Sequence, residues 1–296
     1  MSICALCCLL ALVACHTPGA VRPTVKVGLV APFEGRYRYV GYDLFPAVRL
    51  ALREANQAGG VGGYAVELVA YDDGANPALA AAQARKLAVD PAVVAAIGHF
   101  RPETTVAAAP YYADVGLPLV APGLMAPELA GSDVLFPVGP EARELAAALL
   151  DDLSTAALLD GGTPLGRALL EVADERSVRL APVVSPEEVG WLEAVLAADS
   201  GVVVCTVDPP AAAVALIALR EAGWQGDFLG GPELGAADFY TIGGATALEA
   251  RFVTPWPLPW DTAEGAVFTA AYGQVSDGNA PGPLAVMAYR MAGVVL

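Results

Sequence analysis

Residues 25–30 read Val25-Lys26-Val27-Gly28-Leu29-Val30, and this short β-branched run predicts a buried strand near the start of the folded chain. The segment 46–57 follows with apolar residues at helical spacing and stops at Gly59-Gly60, a glycine signal that ends helices. The same alternation of β-branched runs and alanine-rich runs continues along the chain. It predicts parallel sheets covered by helices on both faces, an α/β fold.

The alternation falls into two similar halves, and each half predicts a doubly wound sheet. In the first half we expect strands at 25–30, 65–71, 93–98 and 117–121, and helices at 46–57, 77–89 and 104–115. In the second half we expect strands at 156–159, 178–184, 202–207 and 228–229, and helices at 141–153, 165–176, 186–198 and 211–222.

A proline-rich segment at 252–260 suits a return of the chain to the first half. Helices at 263–275 and 284–294 then complete that half. We therefore expect two doubly wound parallel-sheet lobes joined by a hinge. Lobe 1 comprises residues 24–138 plus 259–296, and lobe 2 comprises residues 139–258.

The first fifteen residues are almost wholly apolar and end in Leu12-Val13-Ala14-Cys15. This ending resembles the lipobox that precedes an acylated cysteine, so we expect residues 1–15 to be a signal peptide with Cys15 as the lipidation site. No Lys or Arg precedes the apolar run, and a frayed terminus or a buried first strand is the alternative. Cys205 is then the one other cysteine of the body, within a run that predicts a buried strand.

The formal charge of −16 argues against a nucleic-acid partner, because phosphate binding needs clustered basic residues. After residue 15 the histidines are His16 and His99, and the body has no Gly-x-Ser-x-Gly or Cys-x-x-Cys motif. Gly59 to Gly63 and Asp72-Asp73-Gly74 are interpreted as turns. We expect no enzyme activity, no cofactor and no metal site.

Ligands of open α/β sheets bind beyond the carboxyl ends of the strands. The segments in those places are 33–41, 99–105, 122–127, 160–166, 207–210 and 230–235. Together with Asn56 to Gly63, Val69 to Asp73 and Ala96 to His99, they resemble the branched-chain amino-acid binding proteins of the type I periplasmic binding protein family. The resemblance runs from Val25 to about Met291.

The resemblance implies two lobes that close on a small amino-acid-like ligand. It also implies a role as the extracytoplasmic, lipid-anchored substrate-binding protein of an ABC transporter, with permease and ATPase subunits as partners. Two alternatives stay open: an amide or amino-acid sensor on the same fold, and a degenerate surface interaction protein. Members of the family continue beyond the position of Leu296, so by resemblance the C-terminus is apparently truncated.

The resemblance also assigns site residues. The glutamate that holds the ligand ammonium matches Glu233, whose alternative is an exposed loop acid. The family's ligand-carboxylate site has a serine that matches Pro102 and a threonine that matches Met125, two residues beyond a backbone-carbonyl contact that matches Gly123. Both hydroxyls are absent here, so the helix amides of Glu103 and Thr104 and the Arg101 side chain are the expected substitutes. Arg101 is alternatively a solvated rim residue. Two aromatic positions match Leu165 and Val207, which predict a more apolar pocket, and Phe100 and Leu124 complete the set.

Overall fold

The computed structural model describes residues 22–123, 131–254, 256, 258 and 262–296. The strands are β1 Thr24–Ala31, β2 Ala65–Asp72, β3 Val93–Gly98, β4 Leu119–Pro122, β5 Leu135–Val138, β6 Thr155–Leu159, β7 Arg179–Val184, β8 Val202–Cys205, β9 Asp227–Gly230 and β10 Arg251–Phe252. The helices are α1 Arg38–Gln57, α2 Pro77–Ala88, α3 Pro102–Ala113, α4 Ala142–Leu149, α5 Pro164–Arg176, α6 Trp191–Ala197, α7 Pro209–Glu221, α8 Ala237–Ala247, α9 Ala263–Gly273 and α10 Pro283–Val295.

The first lobe is built on a parallel sheet with the strand order β2-β1-β3-β4-β5. Successive side chains of a strand point to opposite faces, and β1 shows this directly. Leu29 packs with residues of α1 and α10 on one face, whereas Val30 packs with residues of α2 and α3 on the other. The expected double layer of helices around a parallel sheet is confirmed.

The second lobe repeats this design with the strand order β10-β9-β8-β6-β7, again wholly parallel. Val203 and Cys205 of β8 face one helix layer, and Val204 faces the other. Burial raises the pKa of the Cys205 thiol to about 12, so the thiol stays protonated and unreactive at neutral pH. The interpretation of Cys205 as a core residue is confirmed.

Several boundaries differ from the sequence prediction. Helix α1 begins at Arg38 and runs through Pro46, whereas the sequence pattern predicts a helix that starts at Pro46. Strand β5 was not predicted because it contains Pro137, and the structure places it at the sheet edge, where a missing N–H costs little. Helix α8 was not predicted, because the glycine pair at 243–244 hides its helical pattern. The two-residue strand β10 was not predicted either.

The glycine-rich segment after α1 forms a turn, as expected. Val61 and Tyr64 form an antiparallel bridge there, and a side chain at Gly60, whose φ is +83°, would meet the Tyr64 carbonyl oxygen at 2.0 Å. Within the described ranges, we find no helix with the length and apolar character that a bilayer crossing requires.

Candidate functional site

Two adjoining cavities lie between the lobes, with volumes of about 90 and 100 Å³. They share six lining residues: Tyr37, Tyr39, Arg101, Thr163, Pro164 and Glu233. These residues come from segments that follow β1, β3, β6 and β9. Because parallel strands present their carboxyl ends at one edge of a sheet, each lobe contributes its own set of strand-following loops to the same space.

The predicted site residues divide into three groups. Those that line the cavities are Phe100, Arg101, Pro102, Leu165, Val207 and Glu233. Those that the structure places outside the cavity walls are Glu103, Thr104 and Gly123. Leu124 and Met125, like the proposed lipidation site Cys15, lie outside the described residues.

Glu233 belongs to a short 3₁₀ helix, Pro232–Gly235, which follows β9. Removal from water raises the pKa of its carboxyl group, while its own backbone N–H and the positive charge of Arg101 oppose this shift. In the described part of the chain, no basic side chain forms an ion pair with Glu233. A desolvated carboxylate in such a position gains strongly from a cation that enters the cavity.

Arg101 precedes helix α3 and is already engaged by neighbours. Its guanidinium donates to the Glu103 carboxylate, and its central carbon lies 4.2 Å from the centre of the Tyr37 ring. Glu103 itself is half-exposed at the start of α3. Arg101 therefore lines the cavity with its charge balanced by an acid and its guanidinium over an aromatic ring.

The threonines at the start of α3 turn their hydroxyls back to the main chain. The Thr104 hydroxyl donates to the Arg101 carbonyl at 2.9 Å, and the Thr105 hydroxyl donates to the carbonyls of His99 and Arg101 at 2.9 and 2.8 Å. Both threonines are fully buried. These hydroxyls stabilise the start of the helix.

Arg36 and Asp208 join the two lobes beside the cavity. Arg36 lies in the 3₁₀ helix Gly35–Tyr37 after β1, and Asp208 caps the start of α7 by accepting from the Ala211 N–H at 3.3 Å. The Arg36 Nε donates to Asp208 Oδ2 at 2.8 Å, and a second nitrogen lies 3.4 Å from Glu187. The sequence-based set did not include Asp208, although an acid before Pro209-Pro210 is a helix-capping signal that marks it.

His99 lines the second cavity, but both of its ring nitrogens have protein partners. Nδ1 lies 2.7 Å from Asp73 Oδ2, and Nε2 lies 3.2 Å from the Tyr112 hydroxyl. The side chains of Asp73 and His99 are completely buried. This polar chain holds the end of β2 against helix α3 and leaves the imidazole no unoccupied nitrogen to offer to a ligand.

The family profile described as "Periplasmic binding protein" matches residues 24–296. The chain belongs to the periplasmic binding protein family. Its curated relatives include the leucine-, isoleucine-, valine-, threonine- and alanine-binding protein of Pseudomonas aeruginosa, 32% identical over 146 residues. That alignment covers 46% of this chain and 39% of the relative. The Leu/Ile/Val-binding protein of Escherichia coli K12 is 32% identical over 110 residues, 37% of this chain and 30% of that protein.

Solved structures of other periplasmic binding proteins share the fold. The branched-chain amino acid transporter substrate binding protein LivJ from Streptococcus pneumoniae, in complex with isoleucine, superimposes with a TM-score of 0.79 at 20% identity. The leucine binding protein LivK from Thermotoga maritima gives a TM-score of 0.77 at 20% identity. The two comparisons cover 92% of this chain and 82% and 81% of those chains.

Proposed function

We propose that this periplasmic binding protein is the extracytoplasmic substrate-binding component of an ABC importer. It closes on a small amino-acid-like ligand between its lobes and releases that ligand chemically unchanged. The observation that carries the proposal is the partly buried Glu233 carboxylate, which lacks an ion-pair partner among the described residues and faces a cavity lined by both lobes. The curated relatives are named for the binding of leucine, isoleucine and valine, and these names support the same ligand class.

The ligand ammonium would lie against Glu233, where a charge-assisted hydrogen bond offsets the desolvation of both groups. The apolar walls at Leu165 and Val207 would hold an aliphatic body. Ligand binds one lobe first, and rotation about the hinge brings the other lobe onto it. The lobes of this mechanism are residues 24–138 plus 259–296 and residues 139–258.

The proposed partners follow from the same role. The closed form docks on permease subunits driven by ATPases, and a lipid on Cys15 holds the protein at the membrane surface after removal of the signal peptide. Mass spectrometry of the full chain expressed in a bacterium tests the anchor. We expect a diacylglyceryl-modified Cys15 and none in Cys15→Ser; an intact, unmodified N-terminus contradicts this part of the proposal.

A thermal-shift screen with amino acids, amides, short peptides and small carboxylates tests ligand binding. A ligand that binds only the folded state must raise the melting temperature. We expect a hit that Glu233→Ala abolishes and that Glu171→Ala, which removes an exposed glutamate of α5, retains. A well-folded protein that binds nothing in the screen favours the surface interaction protein instead.

A further inference from the structure

The charged groups around the cavity show an imbalance. Arg36 is paired with Asp208 and approached by Glu187, and Arg101 is paired with Glu103. Each cavity arginine therefore has an acidic partner within the protein. Glu233 is the cavity carboxylate left without an ion pair in the described ranges. The described part of the cavity therefore has one uncompensated negative charge, which a ligand with one positive charge would balance.

The helices that begin at this site offer an anion fewer backbone N–H groups than most helices do. Each of these elements starts with proline, which has no N–H to donate: Pro102 in α3, Pro164 in α5, Pro209 in α7, Pro232 in the 3₁₀ helix and Pro283 in α10. In α7 the second position is also a proline, Pro210. The negative charges of Glu103 and Asp208 further offset the positive ends of α3 and α7.

The nearby threonine hydroxyls each have a partner within the protein. Thr163 accepts from the Gly166 N–H at 3.1 Å, and the Thr206 hydroxyl lies 3.1 Å from both the Gly161 nitrogen and an Asp160 carboxylate oxygen. Tyr39 lines both cavities, and its hydroxyl can accept from an ammonium. Among the described residues, the wall keeps one uncompensated negative charge, at Glu233, so a ligand carboxylate would enter it with poorly compensated desolvation.

We propose that the cavity selects a small aliphatic monoamine, a protonated amine without a carboxylate, over a zwitterionic amino acid. This inference rests on the proposed function and narrows its ligand class. The ammonium pairs with Glu233, and the aliphatic body lies between Leu165, Val207 and Phe100, with Leu284 and Met287 on the first-lobe side. The uncharged end of the ligand faces the proline-started helices.

Isothermal titration calorimetry of the full chain at pH 7.5 tests this with three probes that share one aliphatic body: 3-methylbutylamine, leucine and 3-methylbutanoate. We expect the amine to bind, leucine to bind at least about tenfold more weakly, and the acid not to bind. Glu233→Gln replaces the carboxylate with a neutral isostere. It should weaken amine binding by about a hundredfold or more, because the charge that pairs with the ammonium is lost. Glu171→Gln is the surface control.

Leucine binding as tightly as the amine, or any binding of the acid, overturns the inference while the proposed function stands. Weaker leucine binding in the Arg101→Gln variant would show that Arg101 exchanges its contact with Glu103 for one with the ligand carboxylate. This result also overturns the inference. If neither the three probes nor the wider screen binds, both the inference and the proposed function fail. Thermal melts of each variant confirm that it is folded.

Discussion

Arg36 of the first lobe and Asp208 of the second form an ion pair beside the interlobe cavity, with Nε 2.8 Å from Oδ2. The two partners are solvated very differently: the Arg36 side chain is 51% exposed and the Asp208 side chain 4% exposed. A pair of this kind exists only when the lobes are together. In the proposed mechanism it would therefore stabilise the closed form, at the wall of the cavity.

Arg36→Ala should weaken ligand binding by about tenfold, because the closed form loses a contact of roughly 1–2 kcal/mol and leaves a buried carboxylate unpaired. Asp208→Asn should act in the same direction, while the asparagine still caps α7. Titration calorimetry measures the affinity, and small-angle scattering of the ligand-bound protein should show a larger radius of gyration.

Arg38→Ala is the matched control, because Arg38 is an exposed arginine 3.9 Å from Asp238 of the second lobe. It should change affinity by less than about threefold, in keeping with a solvated pair. Equal effects of the Arg36 and Arg38 substitutions on ligand affinity would contradict this role of the ion pair. A double-mutant cycle between Arg36 and Asp208 measures the coupling directly.

Glu233→Gln should stabilise the ligand-free protein at pH 7. The raised pKa of Glu233 means that folding favours its protonated form, so this stability is present below the ordinary pKa and is lost as pH rises through the folded value. A permanently neutral side chain should raise the melting temperature by about 2–4 °C, which corresponds to roughly 1 kcal/mol. The gain should disappear near pH 4, and a lower melting temperature at pH 7 would contradict the proposed desolvation.

Asp43 of α1 should give the protein a second pH dependence. Its carboxylate accepts from the N–H groups of Gly282 and Ala285 at 2.7 and 3.0 Å, which fastens the start of α10 to α1. Burial nevertheless raises its pKa to about 6. The stability contributed by the protonated form is complete below the ordinary pKa and is lost as pH rises through about 6, on the order of 3 kcal/mol in total.

Urea denaturation at pH 4, 5.5 and 7 checks this prediction. The wild type should lose more unfolding free energy across this range than Asp43→Asn, whose side chain does not titrate. The other carboxyl groups titrate in both proteins, so the difference between the two curves isolates Asp43. Parallel curves would show that the pKa of Asp43 is not raised.

The buried pair of Asp73 and His99 should be a large contributor to stability. Asp73→Ala removes the partner of Nδ1 and leaves a buried ring nitrogen without a hydrogen bond, which should cost about 1–3 kcal/mol of unfolding free energy. Tyr112→Phe removes the weaker 3.2 Å contact and should cost about 1 kcal/mol. Chemical denaturation measures both, and a loss below about 1 kcal/mol for Asp73→Ala would contradict this account.

Local pattern predicted most of the fold because the strands and helices of an α/β protein carry their own periodicity. The strand at Val25, the helix after Asn76 and the buried run around Cys205 needed no long-range information. The edge strand at Leu135 and the helix from Ala237 were missed for the opposite reason. Proline and glycine in those segments act against regular structure locally, and neighbouring chain segments override them.

The sequence also predicted the loops that line the cavity, since the end of a strand in a parallel sheet is a topological position that can be counted along the chain. It indicated Glu233 by resemblance alone, and Arg101 by its chemistry next to the helix start. It did not give the pairing of Arg36 with Asp208, which are 172 positions apart. No local signal connects residues that far apart.

By itself, then, the sequence determined two α/β lobes, their order along the chain and the segments that meet between them, because hydrophobic periodicity and turn residues act over short distances. Only the tertiary structure decided which charges are balanced. Arg101 is paired by Glu103 and Arg36 by Asp208, while Glu233 keeps no such partner among the described residues. Desolvation and ion pairing depend on distances in space, and the packing of the two lobes sets those distances.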